Sequence, residues 1–113
     1  MRFLPTIQID PQDLLNIQQY FDTLLFPKAA YLYYEQQIPP GGVILLEGEL
    51  VIYRNRKEVT RLAPGSFIGH QEIISGKLSN VAVQIQPGSK IIMIDKSAIQ
   101  NDRGEISKVL SLK

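Results

Sequence analysis

The order of hydrophobic and polar residues changes its period twice along the chain. Residues 11–25 carry apolar side chains at helical spacing, and Asp10 and Pro11 are typical of a helix start. We therefore expect an amphipathic helix over residues 11–25. From residue 28 to about residue 95 apolar side chains alternate with polar ones, which predicts β-strands. Residues 97–113 return to helical spacing and predict C-terminal helices.

Short strands separated by Pro-Gly turns fill the middle of the sequence. The strand candidates are, in order, AAYLYYE, VILLE, ELVIYR, EVTRL, NVAVQI and KIIMID. A bend is expected at Gly48, a polar hairpin tip at RNRK, and turns at APGS and QPGS. The helices that a parallel sheet needs between its strands are missing. The pattern predicts one mainly β domain over residues 1–113, a double-stranded β-helix or jelly roll with flanking N- and C-terminal helices.

Three tyrosines lie in the first of these strands. Strict alternation places Tyr31 and Tyr33 on one face and Tyr34 on the other. Packing in the core and at the rim of the roll explains these rings better than stacking on nucleic-acid bases.

Composition narrows the function classes. The 113 residues include no cysteine, so disulfides, iron–sulfur clusters and thiolate nucleophiles are excluded, which fits a cytoplasmic protein. The net charge of +1 lacks the basic excess of a nucleic-acid-binding domain. No apolar run is long enough to span a bilayer. We expect neither nucleic acid nor membrane as a partner.

The sequence also argues against catalysis. A metal site of the kind found in related jelly rolls needs several histidines, and His70 is the only one, so no metal ligands are assigned. His70 with Ser75 or Ser79 lacks the surrounding pattern of a hydrolase nucleophile. No phosphate-binding or dinucleotide glycine motif is present. We expect no catalytic residues.

An ordered set of residues resembles a known family. The matching positions, spread over Pro27 to Gln100, are Gly48, Glu49, Leu62, Pro64, Gly65, Phe67, Gly69, Ile73, Ile74, Gly76, Val81, Val83, Ile94 and Asp95. Together they resemble the cyclic-nucleotide-binding β-roll of catabolite-activator-type regulators, kinase regulatory subunits and gated channels. The resemblance implies the roll fold and a phosphate-binding cassette within GSFIGHQEIISGKLSN.

The cassette supplies the candidate ligand contacts. By resemblance, the position of the family's ribose-binding glutamate is His70, that of its phosphate-binding arginine is Ser79, and a commonly hydroxylated position is Ala82. The cassette keeps its glycine at Gly69, and Lys77 is the only nearby cation. The full set of candidate ligand-binding residues is Phe67, Gly69, His70, Gln71, Lys77, Ser79, Asn80 and Ala82.

The two charged contacts that the resemblance implies are therefore not encoded. A hydrogen bond to a charged group contributes about 1.5–3 kcal/mol, so losing both removes roughly 3–6 kcal/mol. That corresponds to a loss on the order of a hundred- to ten-thousandfold in affinity. We expect a non-catalytic regulatory, sensor or interaction module that does not bind cyclic AMP or cyclic GMP in the usual way and needs no cofactor.

Two alternatives stay open. The module could sense a cyclic nucleotide through substituted contacts, or it could be the effector domain of a catabolite-activator-type transcription regulator. Both alternatives are compatible with a small-molecule ligand or a protein partner.

Several residues also have simpler interpretations. His70 is interpreted as an ordinary polar loop residue, and Glu72 as a charged residue on the solvated side of a helix. The basic residues near RNRK are interpreted as side chains of a solvated hairpin. An apolar stripe within residues 105–113 predicts a weak homodimer through the C-terminal helix.

Overall fold

The computed structural model describes residues 4–102 of the chain, in which nine β-strands and three short α-helices follow one another. In chain order they are β1 (Thr6–Gln8), α1 (Pro11–Ile17), β2 (Thr23–Phe26), β3 (Ala30–Tyr33), β4 (Gly41–Glu47), β5 (Leu50–Arg54), β6 (Lys57–Leu62), β7 (Ser66–Ile68), α2 (His70–Ser75), β8 (Ala82–Ile85), β9 (Ser89–Asp95) and α3 (Lys96–Gln100).

The strands form two antiparallel sheets. The first has the order β1-β7-β4-β9-β2 and the second the order β3-β8-β5-β6. Every strand pair is antiparallel. The predicted mainly β roll with flanking helices is therefore confirmed.

Successive side chains along the strands of the first sheet point to opposite faces, and each face packs in a separate hydrophobic core. Val43 and Leu45 of β4 face the second sheet and join the inter-sheet core, which also contains Ile52 and Val83. The side chain between them, Ile44, points the other way. It joins an outer core that the first sheet shares with the three helices, with Phe67, Ile73, Ile92 and Ile99 among its members. Because one sheet is covered on both faces, its central strand reads as a continuous apolar run.

The predicted helix over residues 11–25 is wrong in its second half. The helix ends at Ile17, and Thr23–Phe26 form the strand β2. This strand pairs with β9, with Leu24 opposite Ile91, and it leaves Leu24 and Leu25 largely exposed. The apolar spacing imitated a continuing helix, but the free edge of β9 offers backbone hydrogen bonds that hold this segment extended.

The turns at Gly48 and at the hairpin tip lie where the sequence predicts them. Gly48 separates β4 from β5 as expected, with φ at +92°. The hairpin tip between β5 and β6 places Asn55 and Arg56 both at positive φ, the backbone conformation of a type I′ turn. The strands β1 and β7 are not among the predicted strands, because three residues are too few to show a period.

The C-terminal prediction is tested only in part. α3 begins at Lys96, close to the predicted start of the C-terminal helices. The helix predicted near residues 105–113, and the homodimer predicted through it, lie outside the described residues.

We predict that Gly48→Ala destabilises the fold more than Gly88→Ala. Both glycines have positive φ, but a Cβ at Gly48 would lie 2.7 Å from Cα of Ser89, whereas one at Gly88 meets no atom within 4 Å. Backbone strain alone costs about 1 kcal/mol, and the clash raises the loss at Gly48 to roughly 3 kcal/mol or more. Urea unfolding of both variants measures the difference. Equal losses would contradict the close packing at Gly48.

Candidate functional site

The segment that joins β7 to α2 passes very close to the backbone of β4. Gly69 has φ at +88°, and a Cβ there would lie 2.9 Å from the carbonyl oxygen of Gly41. A side chain at this position would push the two backbones apart. Gly69 therefore serves the packing of the segment against β4, which explains it without a ligand.

His70 begins α2 with its ring stacked on Phe67. The ring centroids are 4.2 Å apart and the planes differ by 18°. Phe67 belongs to the outer core, so His70 lies on the helix side of the sheet and is only 5% exposed. Neither of its ring nitrogens has a hydrogen-bond partner within residues 4–102. The interpretation of His70 as an ordinary polar loop residue is wrong, because the phenyl face of Phe67 draws the ring into the core.

Burial keeps this imidazole neutral. Desolvation lowers the pKa of His70 from 6.5 to about 4. The position where the resemblance implies a charged carboxylate therefore holds an uncharged ring.

Glu72 is the second residue of α2 whose interpretation fails. Its side chain is 7% exposed, and both carboxylate oxygens lack a hydrogen-bond partner in the described part of the chain. Burial raises the pKa of the Glu72 carboxyl. The orientation of α2 explains this: Ile73 is inserted into the outer core, Glu72 is buried beside it, and Ile74 faces solvent at 65% exposure.

Ser79 is buried and hydrogen-bonded within the loop that joins α2 to β8. Its Oγ donates to the carbonyl oxygen of Val81 at 2.8 Å and accepts from the Val81 amide at 3.1 Å. Its backbone amide donates to the carbonyl oxygen of Gln37 at 2.7 Å. The position where the resemblance implies a guanidinium is thus filled by a short hydroxyl used in local structure.

Three of the candidate residues do come together. Gln71, Lys77 and Asn80 line a cavity of about 280 Å³ beside α2. The remaining lining residues are Glu72, Ser75, Leu78 and Pro5. This cavity therefore holds three of the eight candidate residues, and we take it as the candidate site.

Ala82 does not join that cavity. It lies on the outer surface of the second sheet, in a cavity of about 510 Å³ that it shares with Tyr31, Tyr34, Tyr53 and Arg56. Tyr31 and Tyr34 stack there with ring centroids 4.9 Å apart. The position that the resemblance assigns to the cassette faces outward, because Val81 and Val83, its neighbours on either side, take the inward positions.

Tyr33 is a core residue whose orientation the sequence pattern misplaced. A register shift between Tyr31 and Tyr33 breaks the alternation of β3, so Tyr31 is exposed whereas Tyr33 enters the inter-sheet core at 2% exposure. The prediction that these two tyrosines share a face is wrong for that reason. The Tyr33 hydroxyl is buried, and no described residue hydrogen-bonds to it.

The basic residue Arg61 is engaged away from the cassette. Its guanidinium lies 2.7 Å from Glu49 and 2.9 Å from Glu58, all three side chains being substantially exposed. This agrees with a solvated hairpin.

Two other kinds of feature are absent from residues 4–102. No three His, Cys, Asp or Glu side chains gather there in a way that could hold a metal ion. None of the helices in that range has the length and apolar character needed to cross a membrane.

We predict that His70 makes the fold sensitive to acid. Its pKa of about 4 lies below the unfolded value of 6.5, so the unfolded chain binds the proton first and stability falls as pH decreases from about 6.5 to about 4. At about pH 5 the loss is on the order of 2 kcal/mol. His70→Phe keeps a ring on Phe67 and removes this titration.

Urea unfolding of both proteins at about pH 7 and about pH 5 provides the measurement. Glu72 titrates in the opposite sense, but it does so in both proteins, so the difference between them isolates His70. The same loss of stability in both proteins would refute the assignment.

Known proteins resemble this chain in three-dimensional structure but not detectably in sequence. No protein-family profile matches the sequence, and no curated protein matches it significantly. The catabolite activator protein of Thermus thermophilus superposes with a TM-score of 0.65 at 13% identity, over 90% of this chain and 52% of the other. The chain therefore spans about half the length of that protein.

Two kinase regulatory proteins are also similar. The regulatory domain of Toxoplasma gondii protein kinase A with cyclic AMP matches at TM-score 0.65 and 18% identity, over 90% of this chain and 41% of the other. The regulatory subunit of a cAMP-independent protein kinase A from Trypanosoma cruzi, bound to guanosine, matches at TM-score 0.66 and 13% identity, over 88% of this chain and 36% of the other. With its two antiparallel sheets and these likenesses, the chain has the cyclic-nucleotide-binding-domain fold.

Proposed function

We propose that this chain is a non-catalytic regulatory module that does not hold a cyclic nucleotide through the two charged contacts described above. One observation carries the proposal: both positions are filled by buried side chains that are used structurally. His70 is stacked on Phe67, and Ser79 is bonded to Val81.

The local charges also disfavour a cyclic phosphate. Arg61 is held by Glu49 and Glu58. Lys77 does line the cassette cavity, but the same cavity is lined by Glu72. A flexible ammonium cannot reproduce the two parallel bonds of a guanidinium, and a carboxylate repels a phosphate.

A ligand without a phosphate fits this cassette better. The amides of Gln71 and Asn80 can donate and accept hydrogen bonds with a neutral molecule. The Trypanosoma cruzi protein, described as cAMP-independent and bound to guanosine, supports this choice because it has the same fold. We therefore take nucleosides as the ligand class to test first, and a protein partner as the other route by which such a module acts.

We predict that calorimetric titration detects no saturable binding of cyclic AMP or cyclic GMP at about 1 mM, whereas guanosine binds. The Ser79→Arg variant is expected to gain affinity for cyclic AMP by about tenfold or more, because it restores a guanidinium at the buried position.

Ser97→Arg is the matched control, since it makes the same substitution at an exposed position of α3 that does not line the cassette cavity. A thermal unfolding curve establishes that both variants are folded. Micromolar binding of cyclic AMP to the unaltered chain would overturn the proposal.

A further inference from the structure

The cavity of about 510 Å³ on the outer surface of the second sheet has no part in the proposed function. Its lining residues are Tyr31, Tyr34, Glu35, Tyr53, Asn55, Arg56 and Ala82. None of them lines the cavity beside α2, so the two cavities are separate. The volume lies in the range of small-molecule sites, about 300–1,000 Å³, which typically combine apolar and aromatic walls with a few polar groups.

Strand pairing gathers the tyrosines around a small residue. β8 lies between β3 and β5 in the second sheet. Tyr31 of β3 is paired with Gln84 of β8. Tyr53 of β5 is paired with Ala82, which lies two residues before Gln84 and on the same face of β8. Because Ala82 contributes only a methyl group, a hollow remains beside the rings.

The rings form one aromatic surface that solvent reaches. Tyr31 stacks on Tyr34 with ring centroids 4.9 Å apart, and it meets Tyr53 at 6.2 Å with the ring planes tilted by 52°. Tyr31 is 42% exposed and Tyr34 is 52% exposed. Aromatic rings attract a further ring by offset stacking or by an edge-to-face contact, so this surface favours a ligand that carries a ring.

One carboxylate and one guanidinium line the same cavity. The backbone amide of Asn55 donates to Oε1 of Glu35 at 2.7 Å, which holds this carboxylate at the hairpin tip, next to Arg56. The Arg56 guanidinium forms no ion pair with a carboxylate among residues 4–102. A guanidinium presents a planar fork of donors that matches a carboxylate with two parallel hydrogen bonds.

This pair of charges favours a zwitterion. A ligand with a positive charge alone is attracted by Glu35 and repelled by Arg56, and the reverse holds for an anion. A molecule with both charges satisfies both side chains, its ammonium donating to Glu35 and its carboxylate accepting from Arg56. An amino acid with an aromatic side chain combines these two charges with the ring that the tyrosines favour.

We propose that this cavity binds a free aromatic amino acid, with its α-ammonium on Glu35, its α-carboxylate on Arg56 and its ring on the tyrosines. The inference goes beyond the proposed function and does not rest on it, because the two cavities share no residue. Since Glu35 is half-buried and Arg56 is exposed, water screens both ionic contacts, and the expected dissociation constant is on the order of 1 mM.

The first test titrates the full chain with L-phenylalanine and three related compounds. N-acetyl-L-phenylalanine lacks the ammonium, L-phenylalaninamide lacks the carboxylate and L-alanine lacks the ring. Each of these three is expected to bind about fivefold or more weakly than L-phenylalanine, because each loses one contact. Shifts of the Ala82 and Gln84 amide resonances locate the site. No saturable binding of L-phenylalanine up to about 20 mM would overturn the proposal.

The second test assigns each charge to its side chain. Arg56→Gln is expected to abolish the preference for L-phenylalanine over its amide, and Glu35→Gln the preference over the N-acetyl compound. Glu35→Gln keeps an oxygen that accepts from the Asn55 amide, so the hairpin tip retains its hydrogen bond. Lys57→Gln and Glu47→Gln are the matched controls, because both residues are exposed and neither lines the cavity. Both preferences surviving in Arg56→Gln and Glu35→Gln would refute the proposal.

The third test removes part of the aromatic surface. Tyr34→Ala is expected to weaken L-phenylalanine binding about fivefold or more. Tyr20→Ala, which truncates another largely exposed tyrosine outside the cavity, is expected to leave binding unchanged. Thermal unfolding curves establish that both variants are folded. Undiminished binding in Tyr34→Ala would contradict the proposal.

The compounds of the first test also separate a free amino acid from a protein partner. An end of a polypeptide carries only one of the two α-charges, and the amide and the N-acetyl compound imitate its two ends. Either compound binding as tightly as L-phenylalanine would therefore overturn the proposal in favour of a chain end of a partner. Tighter binding of L-phenylalanine than of both compounds is the result that supports it.

Discussion

The contact between His70 and Phe67 decides how the cassette faces the rest of the molecule. Phe67 belongs to the outer core, and the stacked imidazole is carried to the same side of the first sheet. Once the first residue of α2 points that way and Ile73 enters the same core, Glu72 is turned into a buried position. A single ring-on-ring contact thereby removes one polar group from the ligand side and buries another.

The close approach of Gly69 to Gly41 makes this arrangement rigid. With the backbone of the cassette lying directly on β4, α2 has little freedom to turn its other face inward. Ser79, at the far end of the cassette, is fixed independently by its bonds to Val81 and to the turn at Gln37. Both ends of the cassette are thus held by the protein's own contacts, and each contact occupies a group that a ligand would otherwise use.

In the proposed function, the charges around the cassette cavity and the burial of its polar side chains both favour a ligand without a phosphate. Burying a carboxylate and a phenol without partners costs free energy that the surrounding core has to offset.

The sequence by itself determined the architecture. Strands β3 to β6, β8 and β9 and their turns follow from runs of apolar and alternating residues and from glycines such as Gly48, because these are local signals that the backbone obeys wherever it lies. It also determined which charged residues the cassette lacks, since the residue types at 70 and 79 are read directly. Only the tertiary structure decided where the side chains point. The pairing of Leu24 with β9, the register shift that turns Tyr33 inward, the ring stack that buries His70 and the insertion of Leu4 each depend on a partner distant in sequence. Such contacts leave no periodic trace, because the partner is brought close only when the two sheets have formed.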